Sequence, residues 1–174
     1  VRPTPSYPPP VAVECIGPEE LLEGAWEEAT SLLVMPGGAD LPYCKRLNGR
    51  GNARIRGFVE GGGAYLGLCA GAYYASGRVE FEVGSALEVV GDRELDFFPG
   101  VARGSVFPGF HYASEHGAVC ARMRYTPGGA GADAGLEACC RAYVNGGPVF
   151  EAADGSDPEG PGWPGVEVIA RFDE

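Results

Sequence analysis

The residues best placed to do chemistry are Cys69 and the glycines around it. Gly67-Leu68-Cys69-Ala70-Gly71 follows Ala64-Tyr65-Leu66 and precedes Ala72-Tyr73-Tyr74. The apolar lead-in reads as a buried strand, and the residues after the cysteine as the start of a helix. A thiol on a tight strand-to-helix turn is the cysteine form of a nucleophile elbow. Such a turn strains the backbone, so its close neighbours must lack bulk, and Gly67 and Gly71 meet that demand. The turn also sets the sulfur at a helix N-terminus, where free N–H groups and the helix dipole favour thiolate over thiol. The competing reading is that Cys69 is a small buried hydrophobe.

Acyl transfer at a cysteine needs oxyanion donors and a base. Pro36-Gly37-Gly38-Ala39-Asp40 follows the apolar run Ser31-Leu32-Leu33-Val34-Met35. A Gly-Gly loop at the end of a strand lets backbone N–H groups point into a site, and the N–H of Ala70 would be the other donor. Each oxyanion donor is worth roughly 3 kcal/mol. A phosphate loop fits less well, because no Gly-Lys-Ser/Thr follows. The candidate bases are His111 and His116, the only histidines in the chain. They flank Tyr112-Ala113-Ser114-Glu115, and Glu115 adjoins His116 as a candidate orienting acid. Both imidazoles equally fit loop residues with no chemical task. Glu80 and Glu82 share a strand face, Arg93, Glu94 and Arg103 suit ion pairs near the site, and Tyr65, Tyr73, Tyr74 and Phe81 suit core or rim.

The elements that must position these residues follow a strand–helix rhythm in the first half. Residues 1–10 carry five prolines and read as an extended arm. The domain is expected over 11–174. Strands are expected at 11–16, 31–35 and 64–68, and helices at 18–22 and 52–60. Ile55, Phe58 and Val59 form the apolar stripe of the second helix, which Gly61-Gly62-Gly63 ends. This rhythm predicts a parallel α/β sheet. After Gly77 the pattern turns to short alternating strands at 79–83, 87–90, 105–107, 117–124, 141–144, 148–151 and 166–170, an antiparallel extension. Residues 125–135 and 153–164 read as loops.

With 174 residues, 45% of them hydrophobic, the chain has enough apolar material for one globular domain. A net charge of -11 argues against nucleic acid or an anionic membrane as partner. No segment is apolar and long enough for a transmembrane helix, which predicts a soluble protein of the cytoplasm or an organelle lumen. The six cysteines contain no Cys-x-x-Cys pair and the histidines lack zinc-ligand spacing, so neither a metal nor another cofactor is expected. Their low density favours a reducing compartment.

Several segments, in order, resemble the N-terminal domain of fungal-type biotin–protein ligases. They are 35–44, Leu47-Asn48-Gly49, 62–74, Phe81-Glu82-Val83-Gly84, 87–91, Arg93-Glu94-Leu95, 97–100 and 143–147. That domain is similar to class I glutamine amidotransferases. The resemblance, running from about Val11 to Phe172, implies a flavodoxin-like, mostly parallel sheet flanked by helices. It implies Cys69 as nucleophile and the backbone N–H groups of Gly38 and Ala70 as oxyanion donors. Two departures are expected: the family's first strand–helix unit and its late His-Pro-Glu turn have no counterpart within these residues. No Gly-Arg-Gly-Arg-type biotinyl-adenylate loop is present, so biotin ligation by this chain alone is not implied. The function expected is amide or thioester hydrolysis, or acyl transfer, at Cys69. The alternative is a non-catalytic interaction domain, whose open sheet edge a protein partner covers.

Overall fold

A computed structural model describes residues 11–125, 138–153 and 165–173. The helices are α1 (Pro18–Glu23), α2 (Leu41–Leu47), α3 (Arg50–Glu60) and α4 (Ala70–Tyr74). The strands are β1 (Leu32–Met35), β2 (Ala64–Gly67), β3 (Ser76–Phe81), β4 (Val89–Asp92), β5 (Phe98–Gly104), β6 (Val119–Tyr125), β7 (Ala138–Val144), β8 (Val149–Ala152) and β9 (Ala170–Phe172). The chain is an α/β protein with several small sheets of mixed direction.

β1 and β2 pair in parallel, from Leu32 opposite Ala64 to Met35 opposite Gly67. One face of this pair supplies Leu33 and Met35 to a core that also holds Leu21, Trp26, Ile55 and Phe58. Alternation decides which residues go inward, because successive strand side chains point to opposite faces. Leu32 and Val34 therefore point outward and are half exposed. α3 packs its Ile55 and Phe58 stripe on this core, and the Trp26 and Phe58 rings meet at 5.0 Å. Arg54 ties the helix to the preceding turn by donating to both Glu27 carboxylate oxygens, at 2.7 and 2.6 Å, and to the Gly24 carbonyl. α3 stops because Gly62 takes φ 99°, and because a side chain at Gly63 would overlap the Phe58 ring.

The second sheet has the order β4-β3-β5-β8, with β3 and β5 parallel and the outer pairings antiparallel. A smaller cluster of Tyr73, Val79, Phe81 and Ala102 packs against it. β6, β7 and β9 form a third, antiparallel sheet.

The structure departs from the sequence expectations at defined places. The single mostly parallel sheet is instead three sheets, and among the described residues only β1–β2 and β3–β5 run parallel. Residues 11–16 form no strand; they have no ladder partner among the described residues, and Val11 and Val13 are each 87% exposed. Residues 105–107 are a bend, not a strand. β5 runs straight through Pro99-Gly100, where no strand was expected. The register shifts there between Ser76–Phe98 and Arg78–Val101, and such an irregularity accommodates a residue without an N–H donor. α2 went unread because Pro42 and a short apolar pattern hid it. The Pro-rich arm at 1–10 lies outside the described residues, as do residues 126–135 and 154–164 of the two expected loops.

Candidate functional site

Cys69 joins the end of β2 to the start of α4 and has φ 50° and ψ −105°, a conformation that L residues adopt only under constraint. The constraint is visible on either side. A Cβ at Gly67 would stand 2.5 Å from the Gly71 carbonyl oxygen, and a Cβ at Gly71 would stand 2.1 Å from the Met35 carbonyl oxygen. Gly71 N–H donates to the Pro36 carbonyl at 3.1 Å, and Leu68 N–H to the Met35 carbonyl at 2.9 Å. The cysteine turn is thus stitched to the end of β1, where the Gly37-Gly38 loop begins. Gly38 has φ 132°, which favours glycine.

These two turns open on a cavity of about 480 Å3. Cys69, Gly38 and Ala70 line it, as do His111 and Glu115. Among the described hydrogen bonds, neither the Gly38 nor the Ala70 N–H donates to a protein acceptor. His116 is not among the residues lining the cavity; its ring meets that of His111 edge-on, with centroids 5.0 Å apart. Among the described hydrogen bonds Cys69 Sγ donates to the Asn145 carbonyl oxygen at 4.0 Å, and none joins the thiol to an imidazole. Among the described hydrogen bonds Glu115 has no imidazole partner. Its Oε2 accepts from the Tyr143 hydroxyl at 2.5 Å.

Of the polar frame around this cavity, sequence reasoning expected an ion pair at Arg93 and a role for Glu115, and it gave none to Asp40 or Asn145. Asp40 follows the Gly-Gly loop, where an aspartate would ordinarily cap α2, yet its side chain makes no cap bond. Its Oδ2 instead accepts from Arg93 Nε at 2.7 Å. Arg93 also donates from Nη1 to the Gly91 and Asp92 carbonyls. Both residues are 8% exposed. Asn145 donates through Nδ2 to the Ser114 carbonyl at 3.1 Å and to Tyr143 Oη at 3.3 Å. The adjacency of Asp40 to Gly37-Gly38 and the ion pair expected at Arg93 were the sequence signals for this frame. Arg93 and Asn145 are too distant in sequence to be read as its partners.

Tyrosines report the same neighbourhood. Burial is the largest cause raising the Tyr73 and Tyr112 phenols above the ordinary tyrosine value, and the proximity of Cys69 and Asp40 adds to it for both. Tyr43 is raised by burial and then by Cys69. Tyr73 lies beneath the cavity and donates to the Gly146 carbonyl at 3.0 Å.

Glu80 and Glu82 part ways. Glu80 sits on β3 and pairs with Arg78 and Arg103, whereas Glu82 lies just past the strand and accepts from Ser105. No group of three or more metal-ligating side chains occurs among the described residues, and no helix there is long and apolar enough to cross a membrane.

Comparison with known proteins adds a family to this geometry. Residues 6–174 match the family model described as biotin-protein ligase, N terminal. The chain is 40% identical over 170 residues to a biotin–protein ligase of Schizosaccharomyces pombe, covering 95% of this chain and 25% of that protein. It is 44% identical over 155 residues to an uncharacterized protein of Chlamydia muridarum, covering 87% of this chain and 53% of that one. The chain therefore spans about a quarter and about half of these two relatives. No solved structure matches significantly.

Proposed function

The chain belongs to the biotin–protein ligase N-terminal family, and from that premise we propose that it is a class I glutamine amidotransferase-like domain performing acyl transfer at Cys69. The observation that carries this reading is the positive φ of Cys69 on a glycine-enforced turn, beside two backbone N–H groups without acceptors. The parallel β1–β2 pair joined through α2 and α3 supports the finer, flavodoxin-like reading of this half of the fold.

In the proposed reaction the Cys69 thiol gives its proton to His111, the imidazole on the cavity wall. Sγ attacks the carbonyl carbon of an amide or thioester, and a carbon–sulfur bond forms. The Gly38 and Ala70 N–H groups hold the oxyanion. The tetrahedral carbon then expels the amine or thiol, which takes the proton from His111. Water attacks the resulting thioester, His111 accepts its proton, and Cys69 regains one as the acid leaves. His116 packs against His111 and positions it.

A second reading is a non-catalytic interaction domain. Its support is the outward face of the β1–β2 pair, where Leu32, Val34 and Leu66 are each more than 40% exposed. Parallel sheets are ordinarily covered on both faces. Biotin ligation is not part of either proposal.

The rate of cysteine alkylation against pH, resolved by peptide mass, tests the first reading. Cys69 is expected to react fastest of the six. A Cys69 no faster than the exposed Cys15 and Cys120, or protected until unfolding, favours the second reading.

A further inference from the structure

The Asp40–Arg93 pair is made through one hydrogen bond where the geometry of the two groups allows two. Arg93 Nε donates to Asp40 Oδ2, but Nη2, on the same edge of the guanidinium, is buried without a partner. A closed fork would bring Nη2 to Asp40 Oδ1. Oδ1 instead has no donor among the described hydrogen bonds, although the side chain is 90% hidden and the residue lines the cavity. Unlike Arg93 Nη2, this oxygen is not a buried atom, which leaves it open to a donor from the cavity. Asn145, on the same cavity wall, repeats the pattern. Both of its amide hydrogens are engaged, which fixes the orientation of the amide, and its Oδ1 is buried without a donor.

The remaining wall has a consistent chemistry. Its charged side chains are the carboxylates of Asp40 and Glu115, and neither lysine nor arginine is among the described lining residues. Phe81, Phe110 and Tyr112 form an aromatic side, with ring centroids 4.9 to 6.3 Å apart. Carboxylates with aromatic faces suit a cation. They offer no counter-charge to a substrate carboxylate or phosphate. Position narrows the class further. Asp40 is two residues from Gly38, so their Cα atoms are no more than about 7 Å apart. A group held by Asp40 therefore lies next to a carbonyl whose oxygen is held by the Gly38 N–H.

We infer that Asp40 is the specificity-determining residue of this cavity, and that it receives the protonated amine of an α-ammonium acyl substrate, an amino-acid amide or thioester. The inference rests on the reading of Cys69 as the acyl acceptor for its chemistry, but its binding half can be measured without turnover. The bound ammonium donates to Asp40 Oδ1. The α-carbon stem lies against the aromatic side, and the carbonyl carbon faces Cys69 Sγ.

The test compares three small ligands of similar size on the full chain by ligand-observed NMR titration: L-alaninamide (cationic), propionamide (neutral) and succinamate (anionic). Alaninamide is expected to bind at least tenfold more tightly than either of the others. In Asp40→Asn that advantage is expected to fall below threefold. Equal or tighter binding of propionamide or succinamate overturns the inference, as does the absence of saturation by all three. The ligand series on the unsubstituted chain gives its answer even if Asp40→Asn does not fold. In parallel, alanyl and propionyl nitrophenyl esters are incubated with the chain, and acylation of Cys69 is read by intact mass. Selective alaninamide binding without any acylation of Cys69 upholds the cation preference and overturns the acyl-transfer reading. Acylation with no preference for the alanyl ester does the reverse.

Discussion

A methyl group on Gly71 would stand 2.1 Å from the carbonyl oxygen of Met35, so the cysteine turn and the end of β1 touch through a glycine alone. Backbone meets backbone there, and no side-chain rotation relieves the clash. Gly71→Ala is expected to cost about 2–3 kcal/mol, at the upper part of the overpacking range. Gly57, inside α3 with nothing within 4 Å of its Cβ position, is the internal control. Gly57→Ala is expected to stabilise by about 0.5–1 kcal/mol through helix propensity. Urea midpoints of the two variants should move in opposite directions; a Gly71→Ala midpoint equal to that of the parent chain would show that the turn has another way to pack.

Asn52 is the polar hinge of the main core. It is 3% exposed, accepts from the Tyr74 hydroxyl, and donates to Glu94 Oε2 at 2.7 Å and Asn48 Oδ1 at 3.2 Å. Asn52→Leu leaves the fully buried Tyr74 hydroxyl without its acceptor, at a cost of about 1–3 kcal/mol. Tyr74→Phe in the same background is expected to recover part of that loss, because both partners are then apolar. Thermal or urea unfolding of the two single variants and the double variant measures the coupling. A strictly additive result counts against the bond.

The strongest periodic signals survived the comparison of sequence with structure, and the weakest did not. Ile55, Phe58 and the glycines after them defined α3 because a helix stripe and its stop are local properties. The turn at Cys69 was legible for the same reason, since the Gly67 and Gly71 requirement lies within five residues. β5 was not legible, because Pro99-Gly100 forms a bulge only when β3 lies beside it. Residues 11–16 alternate like a strand but have no ladder partner among the described residues, and alternation alone does not make one. The Asp40–Arg93 pair joins residues 53 apart in sequence, and nothing local in either segment marks the other.

Three phenols, two buried and one half-buried, set the alkaline limit of the fold. Tyr65, Tyr73 and Tyr74 each donate a hydrogen bond, to Gly71, Gly146 and Asn52, and burial is the first cause raising each well above the ordinary phenol value. The folded state therefore holds these protons longer than the unfolded state does. Their contribution is fully present below about pH 10, the ordinary tyrosine value, and is lost as pH rises toward the higher folded values. Between those limits the unfolding free energy should fall by about 1.4 kcal/mol per pH unit for each phenol. Urea unfolding from pH 8 to 12 measures the slope, and Tyr73→Phe should make it shallower by one phenol's share. A flat profile above pH 10 would contradict the burial of these hydroxyls.

The Asp40–Arg93 pair gives the last prediction, and its two single variants are not equivalent to the double. Arg93→Met leaves the Asp40 carboxylate buried without its cation, and such a change costs about 3–5 kcal/mol. Asp40→Asn keeps an acceptor for Arg93 Nε and is expected to cost less. The double variant Arg93→Met, Asp40→Leu removes both charges from a site where each residue is 8% exposed, so neither desolvation cost remains. It is expected to recover most of the loss of Arg93→Met. The single hydrogen bond and the unpartnered Nη2 argue that the pair itself contributes little, because much of the guanidinium's desolvation goes uncompensated. A double-mutant cycle of Arg93→Met, Asp40→Leu and the two together, read by urea unfolding, separates the two costs. Full recovery means that the pair is retained for its place on the cavity wall rather than for stability; a double variant as unstable as Arg93→Met means that the ion pair holds the loop of Gly38 in place.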